Sequence, residues 1–313
     1  MSEVVPVVDY SYLIEQVFNS LDVRDNTRYE YKIRIKHFLA FVKATGMNIN
    51  TFLEYKRALE ANTEYSTSTK NKYLTCARIF LRECHRLGLL PRDITTSVKS
   101  FKQIHQHKLS GLNETDVYLI CKWVKTHPDK LREHALLSLL LFQGLRQAEI
   151  CQITRGDINI EDQTLFILGK GRDDKERVYL HPETGRALQR YIDSKVFEDN
   201  SPFFTAQKLT SGTVVKLTER GLRYIVKSIF AEVGIDKNVH GFRHYFTTKL
   251  IKSMPGQLTV VAQFTRHRSL SMLQIYNDTI LQENDLPIYY ATFSDVGWPQ
   301  DGYPTLQYAN TEY

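Results

Sequence analysis

The stretch "TLFILGKGRDDKERVYLH", residues 164–181, decides the fold class. Two apolar runs, "TLFIL" (164–168) and "RVYLH" (177–181), flank a charged segment that holds Gly169 and Gly171. Short β-rich runs around a glycine-containing polar turn predict an antiparallel hairpin. The preceding "DINI" (157–160) reads as a further β segment. Outward from this hairpin the periodicity changes to that of helices. "LREHALLSLLLFQGLRQAEICQI" (131–153) upstream is apolar enough for a buried helix pair. Downstream, "HPETGRALQRYIDSK", "TERGLRYIVKSIFAEVG", "HGFRHYFTTKLIKS", "TVVAQFTRH" and "SLSMLQIYNDTIL" predict successive helices. The fold class is therefore mostly α with a small antiparallel β-sheet.

The first hundred residues predict four helices and no strand. In "NTRYEYKIRIKHFLAFVKATG" (26–46), Tyr31, Ile35, Phe38, Leu39 and Val42 recur at helical steps, and Gly46 stands just past the end. Residues 1–97 thus read as one helical domain. "VKSFKQIHQHKLSGL" (98–112) lacks periodicity and reads as a basic linker. His105 and His107 lie in it without a partner cluster for a metal. A second domain is expected over 113–281, opened by the helix-capping "NETDV" (113–117). An acidic tail follows over 282–313.

Composition narrows the function. The chain has 313 residues, 24% of them charged, and a net charge of +6. Residues 1–112 carry 17 Lys and Arg against 11 acids, whereas residues 278–313 carry six acids and no Lys or Arg. Basic bodies suggest a polyanionic partner. "LPIYYATF" and "VGWPQDGY" make the tail too apolar to be a mere solvating segment, so it is expected to pack on a surface, its own or a neighbour's. No run is long and apolar enough for a membrane span, and the N-terminus does not read as a signal peptide. Cys76, Cys84, Cys121 and Cys151 have no C-x-x-C spacing and read as buried thiols in a reducing, cytoplasmic setting. Arg28, Lys32, Lys36, Lys70, Lys72 and Arg78 of the first domain are expected to contact DNA backbone.

Several polar groups stand where apolar ones are expected. Arg146 and Glu149 follow an apolar helix directly, and alone would make an ordinary ion pair. His240 and Arg243 share a helical face in "HGFRH" (240–244). Lys170 sits between two glycines at the hairpin tip, with Lys175 in the same turn. In "RHRSLSMLQIYND" (266–278) His267 precedes Tyr276 by nine residues. One at a time, each has a bland structural reading. Together they form an inventory for phosphoryl transfer that needs neither metal nor cofactor. Two guanidiniums clamp a phosphodiester, a tyrosine hydroxyl acts as nucleophile, and a lysine or histidine protonates the leaving oxygen.

In "GLRQAEI" (144–150), "GKGRDDKERVYL" (169–180), "HGFRH" and "RHRSLSMLQIYND" the chain resembles the tyrosine recombinases, or phage integrase family, in order and spacing. The likeness extends over roughly residues 10–280. It implies an N-terminal helical core-binding (SAM-like) domain and a mixed α/β catalytic domain, clamped about duplex DNA. It implies that Arg146 and Arg243 bracket the scissile phosphate, that His240 assists proton transfer, and that His267 hydrogen-bonds a non-bridging oxygen. Lys170 is the implied general acid, with Lys175 the alternative. Glu149 supports the site, and Tyr276 attacks to give a 3′-phosphotyrosyl link. A specific recombination site, a homo-tetramer on DNA formed from free monomers or dimers, and a four-way (Holliday) junction are further implications. Docking of the C-terminal tail onto a neighbouring subunit is another.

One departure stands out: the family usually has glycine before the last histidine, and here Arg266 and Arg268 flank His267, as expected DNA contacts. Tyr289 and Tyr290 lie beyond the motif and are poor substitutes for Tyr276. The rival readings are a type IB topoisomerase-like enzyme, a non-catalytic DNA-binding protein on the same fold, and a helix-turn-helix regulator built on residues 220–238.

Overall fold

A computed structural model describes residues 10–103, 111–169, 172–206, 215–267 and 269–292. The chain divides into two compact units, Met1–His105 and Gln106–Tyr313.

Among the described residues, the first unit is a bundle of four helices: α1 (Tyr10–Asn19), α2 (Asp25–Thr45), α3 (Thr51–Ala61) and α4 (Thr67–Arg86). On α2, Ile35, Phe38, Leu39 and Val42 are buried at the expected helical steps. They meet Phe18, Phe52, Tyr55, Leu74 and Phe80 in one core. Gly46, at φ 82°, ends α2 and returns its N–H to the Val42 carbonyl. Ser66 caps α4 by accepting from Thr69 N at 3.2 Å. This core extends past residue 97. Val98 is buried in it, and Asn71 bonds both the N–H and the carbonyl of Phe101.

The second unit opens with α5 (Glu114–Thr126), started by a reciprocal capping box between Asn113 and Asp116. α6 (Leu131–Phe142) is buried nearly all round and forms the centre of the core. A five-residue helix, α7 (Gln147–Cys151), and a 3-10 turn at Arg155–Asp157 lead into the sheet. Its strands β1 (Ile158–Asn159), β2 (Thr164–Leu168) and β3 (Lys175–Tyr179) run antiparallel in the order β1-β2-β3. Leu165 and Ile167 enter the core while Phe166 stays out. β3 starts two residues earlier than the sequence suggested. Leu168 pairs with Lys175 and Ile167 with Glu176. The ladder can run into this charged stretch because Lys175, Arg177 and Tyr179 occupy its exposed alternation.

Five further helices follow among the described residues: α8 (Pro182–Asp193), α9 (Glu219–Val233), α10 (Gly241–Ser253), α11 (Leu258–Thr265) and α12 (Leu270–Thr292). α12 continues through residue 282, where the acidic tail was expected to begin, and residues 293–313 lie outside the described residues. A small separate core of Ile251, Val261, Leu273, Tyr276 and Ile280 joins α10, α11 and α12. Cys76, Cys84 and Cys151 are buried, but Cys121, expected to be, is exposed on the outer face of α5. No described helix is long and apolar enough to cross a membrane.

Candidate active site

The site is assembled where the end of α6, the start of α10 and the α11–α12 junction converge. After α6 the chain turns at Gly144, whose φ of 55° is left-handed. A Cβ there would lie 2.3 Å from Phe246 Cδ1, so only glycine lets the turn close on α10. The turn delivers Arg146 to the N-cap of α7. Glu149 then accepts from Arg146 twice, from the backbone N–H at 2.8 Å and from Nη1 at 2.7 Å. Glu149 is 1% exposed and Arg146 31%, so the arginine keeps an open side.

Arg243, in the first turn of α10, is 4% exposed. Its Nη1 donates to Gly144 O at 2.7 Å and its Nη2 to Thr265 O. Burial, then the nearby Arg146 and Arg266 charges, lower its pKa to about 9. It is cationic at neutral pH, in a place where positive charge is under-compensated.

His267 follows α11 and contacts the Thr265 hydroxyl through Nδ1 at 2.7 Å. That hydroxyl gives its single proton to Val261 O at 2.8 Å, so His267 Nδ1 is the donor. Burial and then the Arg243 and Arg146 charges bring the His267 pKa down to about 4. The neutral ring therefore carries its proton on Nδ1 and presents a bare Nε2. The expected hydrogen bond from His267 to a phosphate oxygen requires an added proton.

Tyr276, on α12, is 9% exposed. Its hydroxyl shares a 2.5 Å hydrogen bond with His244 Nδ1. Burial, partly offset by Arg243, raises its pKa to about 12, so the hydroxyl is protonated at rest. The His240 and His244 rings stand perpendicular, 4.7 Å apart. Arg146, His240, Arg243, His244, His267 and Tyr276 line a single cavity of about 460 Å³, together with Gly169, Arg172 and Glu176 of the hairpin.

Five of the six expected catalytic residues thus come together, with Glu149 beneath them. Lys170 lies outside the described residues, as does Arg268. Lys175 is ion-paired to Asp157 and is not among the cavity residues. Among the described residues, no three His, Cys, Asp or Glu side chains come together as a metal-binding group.

Three of the expected DNA contacts have partners within the protein. Arg28 spends its guanidinium on Phe18 O, Leu21 O and Asp25, closing the α1–α2 connection. Arg78 donates to Val98 O and Ser100 Oγ and lies over the Phe52 ring. Arg266 turns inward, 6% exposed, against Glu149. Lys32 pairs with Glu15 and Lys70 donates to Glu60 O, while Lys36 and Lys72 are exposed. His244 escaped the sequence reading although it stands in the quoted motif. Its i, i+4 relation to His240 was the available signal, since it places both rings on one helical face.

The family model described as "Phage integrase family" matches residues 111–283, more than half of the chain. The chain belongs to the phage integrase, or tyrosine recombinase, family. This is a family of enzymes that cleave and rejoin DNA. The tyrosine recombinase XerC of Leptospira interrogans is 28% identical over 264 residues, covering 80% of this chain and 82% of its own length. XerD of Lacticaseibacillus casei is 26% identical over 298 residues, 90% of this chain and 98% of its own. Among solved structures, a lambda integrase dimer bound to a COC′ core site superposes with a TM-score of 0.64 at 14% identity, covering 87% of this chain and 77% of that one. The Tn1549 transposon integrase in complex with circular intermediate DNA gives 0.63 at 15% identity, covering 85% and 94%. At these identities the two superpositions speak for the integrase fold.

Proposed function

We propose that the chain is a site-specific recombinase that cuts duplex DNA through Tyr276. The observation that carries this reading is the meeting of the Tyr276 hydroxyl with Arg146, Arg243, His240 and His267 in one cavity. A phosphodiester entering it supplies the anion that the clustered guanidiniums lack. Arg146 offers its open side. Arg243, anchored on Gly144 O and Thr265 O, holds its remaining N–H groups in place without reorganisation.

Tyr276 Oη then bonds to phosphorus as the P–O5′ bond breaks, leaving a 3′-phosphotyrosyl enzyme and a free 5′-hydroxyl. The phenolic proton has an acceptor in His244 Nδ1, already within hydrogen-bond distance. Lys170 protonates the leaving 5′-oxygen; the engagement of Lys175 by Asp157 favours this choice. His240 assists proton transfer. His267 binds a non-bridging oxygen once the arriving negative charge raises its basicity. Rejoining reverses these steps with a 5′-hydroxyl from a second duplex. The linkage retains the bond energy, so no ATP or metal enters. The relatives, tyrosine recombinases and integrases solved in complex with DNA, support a DNA substrate. Four copies exchanging two duplexes through a four-way junction, each docking its C-terminal segment on a neighbour, complete the reading.

The test is covalent trapping. Nicked duplexes are incubated with the full chain without metal and resolved in SDS. A protein–DNA band that disappears in Tyr276→Phe is expected. Tight DNA binding with no band on any duplex would refute the cleavage chemistry. Relaxation of supercoils without sequence preference or junction formation would replace recombination with a topoisomerase-like activity.

A further inference from the structure

We propose that Arg266 is a third guanidinium of the reaction site. It is a positioning residue that shares Glu149 with Arg146 and so leaves more of Arg146's charge for the phosphate. The inference rests on the phosphoryl-transfer reading above.

The backbone comes first. Arg266 has φ 55° and ends α11 in the left-handed region, which suits glycine and strains an L side chain. Such a conformation persists in a non-glycine residue only where the surroundings over-determine it. Here they do. The side chain is 6% exposed and donates to Phe264 O at 3.1 Å, Gln143 O at 3.4 Å and Gly144 O at 3.5 Å. Its Nη2 lies 3.4 Å from Glu149 Oε2.

Two features aim this side chain at the site rather than at mere packing. Gly144 O, which receives Arg266, is also the anchor of Arg243, so one carbonyl fixes two guanidiniums. Arg266 also lines the cavity itself, with its buried Nε unpartnered among the described residues.

The charge arrangement gives the mechanism. Among the described residues, Glu149 is the one carboxylate ion-paired with Arg146, and Arg266 reaches the same carboxylate. Glu176 also faces Arg266 but is ion-paired with Arg172 at 3.0 Å. Without Arg266, Glu149 would neutralise Arg146 alone. With it, the carboxylate is divided, and Arg146 presents a less compensated charge to the phosphorane as negative charge builds on its non-bridging oxygens.

The experiment uses duplexes with randomised arms and a nick, selected by the wild-type full chain for SDS-resistant adducts. On the selected duplex, adduct formation is timed for wild type, Arg266→Gly and Arg266→Lys. Glycine suits the local backbone, so this variant keeps its fold, which thermal unfolding verifies. The expected result is a loss of about tenfold or more in adduct rate for Arg266→Gly, with duplex affinity unchanged and partial recovery in Arg266→Lys. On the same duplex with a methylphosphonate at the scissile position, which removes the oxygen charge, wild type and Arg266→Gly should react alike. Equal rates on the ordinary phosphodiester overturn the inference. So does an equal defect on both linkages, which would make Arg266 a packing residue. A wild-type chain that forms no adduct with any duplex fails the recombinase reading itself, and this inference with it.

Discussion

Removing the Glu149 charge tests the electrostatic centre of the site without any DNA. Glu149 is buried at 1% exposure and accepts from Arg146 N, Arg146 Nη1 and Arg266 Nη2. Burial alone would raise its carboxyl; the Arg266 charge, the Arg146 hydrogen bonds and the Arg146 charge outweigh that and hold it below its ordinary range. Glu149→Gln keeps the shape and one acceptor but leaves Arg146, Arg243 and Arg266 facing one another with no carboxylate between them. Breaking one side of a buried ion pair costs about 3–5 kcal/mol. Glutamine's surviving hydrogen bond puts this case near the low end, about 3 kcal/mol.

For a unit the size of Gln106–Tyr313 that corresponds to a fall in Tm of roughly 6–12 °C. Trp123 is buried in the core of the second unit, so its fluorescence follows that unit during heating. The pH dependence supplies an independent check. A carboxyl with a lowered folded-state pKa stabilises above its unfolded value, and the stabilisation is lost as pH falls through the folded value. Wild type should therefore lose stability below its ordinary pKa of 4.5 more steeply than Glu149→Gln. A glutamine variant that unfolds within about 2 °C of wild type, with the same acid limb, would refute the claim that Glu149 holds the guanidiniums together.

Three further outcomes are expected. His267, with its pKa lowered to about 4 from an ordinary 6.5, stabilises the fold fully above 6.5 and less as pH falls toward 4; His267→Gln should flatten thermal stability across that window, and an unchanged profile would mean the ring is not buried neutral. Gly144→Ala should cost about 2 kcal/mol or more in urea unfolding, because φ 55° is combined with a Cβ 2.3 Å from Phe246; adding Phe246→Ala should return the steric part, and strict additivity of the two changes would refute the clash. His244→Ala should slow adduct formation by about ten- to a hundredfold at unchanged duplex affinity, and His244→Asn, which places an acceptor near Nδ1, separates two roles. Full recovery in the asparagine variant would mean that His244 only orients Tyr276 and takes no proton.

How much of this was legible in the sequence depends on whether a residue's role is local. α2 was legible because Ile35, Phe38, Leu39 and Val42 repeat on one face, and the hairpin because its turn chemistry is adjacent to its strands. The extra ladder pairs at Lys175 and Glu176 were not, because charged residues are poor strand formers until a partner strand gives them an exposed alternation. The intramolecular partners of Arg28 and Arg78 were hidden for a related reason. A basic residue on a helix has the same one-dimensional signature whether it faces a phosphate or the carbonyls left open at a neighbouring helix end, such as Leu21 O. The carboxylate–guanidinium spacing of Arg146 and Glu149 was visible as i, i+3. The contacts that bind Arg243 to Gly144 and Thr265 span 99 and 22 residues and leave no periodic trace.

The residue at which pattern and structure diverge most is also the one with the most chemical consequence. The resemblance sets an expectation of glycine at position 266, and the backbone there is left-handed, with φ 55° at Arg266, a conformation that suits glycine. From sequence alone, arginine at that place reads as one more surface charge beside Arg268. The left-handed turn reverses this, because it ends α11 and returns the side chain over the α6–α7 turn, against Gly144 O and Glu149. The same backbone feature that makes glycine the easy choice therefore directs a long side chain into the site. A substitution that breaks a local rule without local compensation calls for a compensating interaction elsewhere. At this position that interaction is with the carboxylate that orients Arg146.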